Sequence, residues 1–288
     1  MALPADPPEL WRTARGPVPL DRPVLMGILN VTPDSFSDGG RFTGAAAALA
    51  HADALIEAGA TIVDVGGEST RPGSEPVSLE EELRRVVPVI EALTRARPDL
   101  LISVDTVKAE VARQALDLGA AAVNDVTAFR LEPAMAKVVA AAGAGVVLMH
   151  SRGALLEIAS YTHAEYPEGV VAEVLAELRE AVFAATAAGV VPEAIAVDPG
   201  FGFSKTVEQN IQLFDQLAAL QALGRPVVVG PSRKRFLGAV TGRPVEDRDR
   251  ATAAACALAW GRGARLFRVH DVAAAREALA VASAVGGT

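Results

Sequence analysis

The chain has 288 residues, 51% of them hydrophobic but only 5% aromatic, and a net charge of -8, so it is an aliphatic globular protein and not a disordered one. The acidic balance excludes a general nucleic-acid or anionic-membrane surface, and any anionic ligand must be held by a local cluster of cations. A single cysteine, Cys256 in the alanine-rich run AACALAW, excludes an internal disulfide and fits a reducing cytoplasm.

Residues 1–23 carry prolines and charges but no continuous apolar segment, and no later run reaches the roughly 18 apolar residues of a membrane span. A soluble, cytoplasmic protein is therefore expected. From residue 24 onward, short β-branched runs alternate with longer alanine- and leucine-rich amphipathic segments, the pattern of repeated βα units around a parallel sheet. Strands are expected at 24–30, 61–66, 101–105, 121–126, 145–150, 194–198, 226–230 and 265–270, with helices in the intervals and after His270. Gly59, Gly119, Gly143, Gly189, Gly224 and Gly263 each stand between a helical segment and the next strand, where a left-handed residue ends a helix. After the second helix Arg97-Pro98-Asp99 replaces glycine, and Pro98 is itself a stop. Ser78 followed by Glu81 predicts a capping box at the start of that helix.

About eight βα units are the number that closes a TIM (β/α)8 barrel, an α/β fold. The expected organisation is one barrel domain over residues 24–288 with residues 1–23 as an N-terminal extension covering the barrel floor. An open Rossmann-like sheet is the alternative, but the GxGxxG fingerprint that normally follows its first strand is absent.

In such a barrel the working residues lie at the carboxyl ends of the strands. Those ends read Asn30, Asp64 with the GGESTRPG loop, Asp105, Asn124-Asp125, His150, Asp198, Ser232-Arg233-Lys234, and Arg268 with His270. Ionised groups near a core must be paired or hydrogen-bonded, so their concentration on one rim argues for a polar ligand site. Asp105 ends LISVD and Asp198 ends AIAVD; their carboxylates suit a flat heterocycle with adjacent N–H donors, and Asn124 can complete that edge. Any one of the three serves equally as a cap for the following loop, and it is the set that favours recognition. Lys234, Arg268 and His270 gather cationic character suited to a diphosphate, helped by the amino end of the last helix. Ordinary surface pairing accounts better for Arg233, Arg235 and Lys205. His51 and His163 read as solvated, and His150 as a support of the pocket.

The stretch Met26–Gly40, MGILNVTPDSFSDGG, joins a buried apolar run to a polar, glycine-rich loop too long for a mere connector. It closely resembles the first strand and mobile loop of the dihydropteroate synthases. VDVGGESTRPG, SVDT at 103–106, NDV at 124–126, DPGFGF at 198–203, SRK at 232–234 and RVHD at 268–271 resemble the same family in the same order across nearly the whole chain.

The resemblance implies a cytoplasmic transferase of folate biosynthesis, the target class of sulfonamides. It would join 6-hydroxymethyl-7,8-dihydropterin diphosphate to p-aminobenzoate by a dissociative substitution, releasing diphosphate. It assigns the pterin to Asp105, Asn124, Asp198 and Lys234, with Met149 and Phe203 lining the pocket. Asn30, Arg268 and His270 resemble the diphosphate and Mg²⁺ region, with Asn30 the metal residue. Thr70, Arg71 and Pro72, with Phe36, Asp38 and Ser232, resemble the surroundings of p-aminobenzoate; Asn30, Asp38, Arg71 and Lys234 are the residues implied in catalysis. A homodimer is also implied. A pterin-dependent methyltransferase would share the acidic pocket but need neither the STRPG loop nor a diphosphate site, and a silent pterin-binding paralogue would not need both loops. Two departures stand out: the segment LMHSRGALLEIASY lacks the second methionine and threonine-proline of many relatives, and Arg235 stands where serine is frequent.

Overall fold

A computed structural model describes residues 8–31, 41–69 and 75–285. Two short strands come first, β1 (Leu10–Thr13) and β2 (Gly16–Pro19), paired as an antiparallel hairpin. The barrel then begins with β3 (Val24–Asn30), followed by α1 (Arg41–Ala58), β4 (Ile62–Gly66), α2 (Leu79–Ala96), β5 (Leu101–Asp105), α3 (Ala109–Asp117), β6 (Ala122–Asp125), α4 (Ala134–Ala142) and β7 (Gly145–Met149). It continues through α5 (Val170–Ala187), β8 (Ile195–Asp198), α6 (Val207–Asp215), β9 (Val227–Val229), α7 (Arg235–Thr241), α8 (Asp249–Trp260), β10 (Ala264–Val269) and α9 (Val272–Val285). Strands β3 to β10 pair in parallel, and β10 closes against β3. The fold is a TIM barrel, and each expected strand is present within a residue or so of its expected bounds.

The six glycines between helices and strands all adopt positive φ, from 59° at Gly143 to 109° at Gly59. At the start of α2, Ser78 Oγ accepts from the Glu81 amide at 3.2 Å, but the carboxylate of Glu81 turns to Arg84 and Arg85. Only half of the expected capping box therefore forms. The complete reciprocal box is at α6, between Thr206 and Gln209.

Two apolar layers hold the barrel. Outward-facing strand residues such as Val63, Val104 and Val146 pack against the helices. Inward-facing Val24, Met26, Ile62, Ala122, Val147, Ala196, Val228 and Leu266 form a separate cluster with Trp11, Val18 and Leu20 of the hairpin segment. Trp11 is fully buried, and its indole N–H donates to the Ala194 carbonyl at 2.8 Å. Gly145 makes room for it, since a Cβ there would lie 2.8 Å from the indole ring. The hairpin thus plugs the end of the barrel at which the strands start, leaving the opposite end for polar residues.

Candidate active site

Strand side chains alternate between the two faces, so the next inward residue on each strand lies two positions along. Two residues beyond the apolar plug the inward face reads Ile28, Asp64, Ser103, Asn124, Met149, Asp198, Gly230 and Arg268. Within one step the barrel interior changes from aliphatic to acid, amide and cation. Asn30 and Asp105 stand one step further out on β3 and β5.

The polar layer is internally bonded. Asp64 is wholly buried, and its Oδ2 accepts both the Arg268 Nε–H at 2.6 Å and the Asn124 amide at 3.1 Å. Arg268 Nη2 reaches Asp105 Oδ2 at 2.5 Å. Two polar atoms of this layer, Asp64 Oδ1 and Ser103 Oγ, are buried with no hydrogen-bond partner among the described residues. Burial raises Asp105 above the ordinary carboxylate range, with Asp64 adding repulsion and Arg268 opposing. Burial works against the charge of Arg268, but Asp64 and Asp105 hold it above its usual value.

Asp198 accepts the Gly200 amide on Oδ1 at 2.7 Å, yet burial pushes its pKa up to about 6, against that bond and the charges of Lys234, Lys205 and Arg268. Lys234 immediately precedes α7 and lays its ammonium 3.6 Å from the centre of the Phe203 ring. Burial lowers Lys234 to about 7, helped by Arg268 and opposed by Asp198 and Asp105. The glycines of DPGFGF have separate reasons. Gly200 is at φ 70°, and a Cβ there would come within 2.0 Å of the His150 carbonyl; Gly202 is at φ 78°, and a Cβ there would meet Lys234 Cδ at 2.8 Å. Met149 and Phe203 join Val107, Val126, Ile158 and Ala159 in an apolar wall beside these groups.

At the neighbouring rim, Ser232 Oγ lies 2.9 Å from His270 Nδ1 and accepts the His270 backbone N–H at 3.1 Å. The side chain of Asn30, at the end of β3, has no hydrogen-bond partner among the described residues. No group of three or more His, Cys, Asp or Glu side chains suited to a metal occurs among the described residues either. A single amide oxygen nevertheless suits Mg²⁺, which keeps several waters and takes phosphate oxygens as ligands. Asp105, Asn124, Asp198, Lys234, Met149, Phe203 and Arg268 are thus brought together at the polar end of the barrel, with Asn30 at the end of β3 and Ser232 and His270 just beyond β9 and β10. Phe36, Asp38, Thr70, Arg71 and Pro72 lie outside the described residues.

Several expectations need correction. Lys205 is not a surface cation: its side chain is fully buried, and its ammonium contacts His150 and two carbonyls. Asn124 and Asp125 divide, because only Asn124 enters the pocket; Asp125 accepts from the Thr127 amide and hydroxyl and the Phe129 amide, holding a turn in which Ala128 and Phe129 take positive φ. Arg233 does form the expected pair, bidentate to Asp249 at 2.7 Å. Arg235 donates to the Ala159 carbonyl at 2.5 Å and stacks 4.5 Å from the Tyr161 ring centre, so the two departures from the family pattern touch each other. Missed from the sequence was the ion cluster in which Lys108 bridges Glu68 at 2.6 Å and the buried Glu82 at 2.5 Å. Glu68 also accepts the Val77 amide at 2.9 Å, so this cluster ties together both feet of the second loop. VDVGGES supplies Glu68, the start of α2 supplies Glu82 and SVDTVK supplies Lys108, but no spacing among them shows that they meet.

The family model for pterin binding enzymes matches residues 26–270. A dihydropteroate synthase of Synechocystis sp. is 46% identical over 265 residues, covering 92% of this chain and 90% of that protein. The structure of Xanthomonas albilineans dihydropteroate synthase with 4-aminobenzoic acid is similar at a TM-score of 0.89 and 48% identity, covering 97% of this chain and 99% of that one. The same enzyme in complex with 7,8-dihydropteroate gives 0.84 and 47%, covering 94% and 97%. On these matches and on the pocket that the strand ends build, the chain belongs to the pterin binding enzymes and, within them, to the dihydropteroate synthase family of folate biosynthesis.

Proposed function

We propose that this chain joins 6-hydroxymethyl-7,8-dihydropterin diphosphate to p-aminobenzoate at the polar end of the barrel, and that its residues divide the work as follows. The pterin lies on the Asp64–Asn124–Asp198–Arg268 layer. Asp105 and Asp198 accept its N–H groups, Asn124 completes the edge, and Met149 and Phe203 cover its faces. The observation that carries this reading is the abrupt change of the inward face from aliphatic to acid, amide and cation two residues beyond the plug. A packed barrel has no use for such a change, whereas a flat donor-rich ring does.

The reaction that fits is a dissociative substitution. The methylene C–O bond breaks, its electron pair leaves with diphosphate, and the pterin stabilises the methylene cation. The aryl amine lone pair then forms the C–N bond and the nitrogen sheds a proton. Lys234 and Arg268 offset leaving-group charge from the pterin side, and Ser232 and His270 do so from the rim. Asn30 would hold Mg²⁺ together with the diphosphate oxygens, and the metal would supply further neutralisation of the leaving group. Asp38 and Arg71, with Phe36, Thr70 and Pro72, are assigned to the aryl amine by resemblance. A homodimer through the late helices is supported by Leu258, Val281 and Val285, which are large and exposed on α8 and α9.

Incubation of the protein with both substrates and Mg²⁺ should yield dihydropteroate and diphosphate in equal amounts. Absence of product with intact pterin binding would instead support a silent pterin-binding paralogue.

A further inference from the structure

Every proton of the Lys205 ammonium has a partner. Its Nζ lies 2.9 Å from His150 Nδ1, 3.1 Å from the Gly200 carbonyl and 3.0 Å from the Phe203 carbonyl, and the side chain has no solvent exposure. Burial pulls the Lys205 pKa down to about 7, opposed by the charges of Asp198 and Glu177, and three acceptors around one nitrogen favour the charged form, because a neutral amine has only two protons to give. The same geometry fixes the tautomer of His150. Glu177 Oε2, 3.0 Å from Nε2, belongs to an ionised carboxylate and only accepts, so in the neutral ring Nε2 carries the proton and Nδ1 accepts from Lys205. Burial, and then the charge of Lys205, hold His150 down at about 4, which keeps the ring neutral as this arrangement requires. Burial opposes the charge of Glu177, but the bonds from His150 and Arg152 hold it at about 2.

The two carbonyls belong to the turn that shapes the pterin pocket. Gly200 donates its amide to Asp198, and Phe203 presents the ring beneath Lys234. The Gly200 carbonyl also accepts the Phe203 amide at 3.1 Å, so the ammonium is its second donor; the same ammonium meets the Phe203 carbonyl and ties the turn to His150, the residue after β7. Nothing in pterin recognition itself requires a lysine at this depth.

From this we infer that Lys205, fixed through His150 and Glu177, is a positioning residue that sets the orientation of Asp198 and Phe203 for the pterin without touching any substrate. The inference rests on the proposed pterin site and deepens it.

The test is Lys205→Met in the full-length enzyme. The KM for pterin diphosphate should rise about tenfold, the loss expected for charge-assisted hydrogen bonds that orient a ligand-binding turn, while kcat and the KM for p-aminobenzoate change far less. With 15N-labelled histidine, His150 should show one neutral, Nε2-protonated form in the parent enzyme and titrate at higher pH in the variant, because the neighbouring positive charge is gone. An unchanged pterin KM, or a uniform loss of kcat with all KM values kept, overturns the inference. If Lys205→Met does not fold, His150 substitutions decide. His150→Gln keeps an acceptor for Lys205 and should retain pterin affinity, whereas His150→Leu should lose it; equal behaviour of the two overturns the inference. Failure of the underlying site would show differently, as absence of 6-hydroxymethylpterin binding in the parent enzyme.

Discussion

At the scale of single residues, one carboxylate oxygen organises the pocket. Asp64 Oδ2 binds both Arg268 and Asn124 from a position with no solvent access. Asp64→Asn preserves the shape but removes the charge that balances Arg268, leaving the guanidinium to Asp105 alone and tightening its competition with a ligand for that acid. Affinity for a dihydropterin analogue should fall by about tenfold, corresponding to the loss of one charge-assisted bond, with calorimetry as the measurement. Unchanged affinity would show that Arg268 and Asn124 hold their places without Asp64. Asp198 gives a pH signature. Its pKa is raised to about 6, so the folded protein takes up a proton there that the unfolded chain releases at lower pH. The folded state binds more protons between roughly pH 4 and 6, so this group's contribution to stability falls as pH rises through that window. Pterin affinity should move the opposite way, rising through about 6 as the carboxylate becomes available to accept N–H donors. Binding titrations and thermal melts across roughly pH 4 to 8 would separate the two trends; parallel trends would remove Asp198 from the pterin edge. These residues were legible as strand-end acids, because an apolar run that stops at Asp is a strong local signal. Lys205 was not, because the sequence SKT after DPGFGF does not reveal that the chain turns its ammonium inward.

At the scale of elements, the connection after β7 is a packed wall rather than a free loop. Ile158 is buried in the cluster with Met149 and Phe203, and Arg235 clasps Ala159 and Tyr161 from the start of α7. Arg235→Ala should release this clasp, raising amide hydrogen exchange over residues 155–161 while leaving pterin affinity in place. Exchange that stays unchanged would mean that the apolar wall alone holds the segment. Composition and periodicity identify strands and helices here because their signals are local: alternation, glycine stops and Pro98. The wall and its clasp were not legible, because they join residues 76 apart in sequence whose meeting is decided by barrel closure. The capping boxes show the same limit on a shorter range. Ser78 and Glu81 have the spacing, but two arginines one turn on compete for the carboxylate, whereas Gln209 has no such rival and closes its box with Thr206.

At the scale of the whole molecule, the barrel separates stability from function along its axis. One end is filled by aliphatic residues and closed by Trp11, and the other carries the acids, amide and cations of the pocket. The alternation that sets inward and outward faces could be read strand by strand, but the β1–β2 hairpin could not, because two four-residue strands, LWRT and the proline-rich GPVP, carry little periodic signal. Its importance lies in one side chain. Trp11→Ala would remove an indole with no exposed surface, open a cavity against Gly145 and leave the Ala194 carbonyl without its donor. Such a change costs about 3–5 kcal/mol when the site cannot collapse, and a closed barrel has little freedom to do so. Denaturant titration should therefore show a lower midpoint and an unfolding free energy reduced by about that amount. Pterin affinity of the fraction that remains folded should be kept, because the aliphatic layer stands between Trp11 and the polar layer. A loss of pterin affinity in step with stability would show that the plug supports the pocket through the barrel wall, and that the two ends are coupled after all.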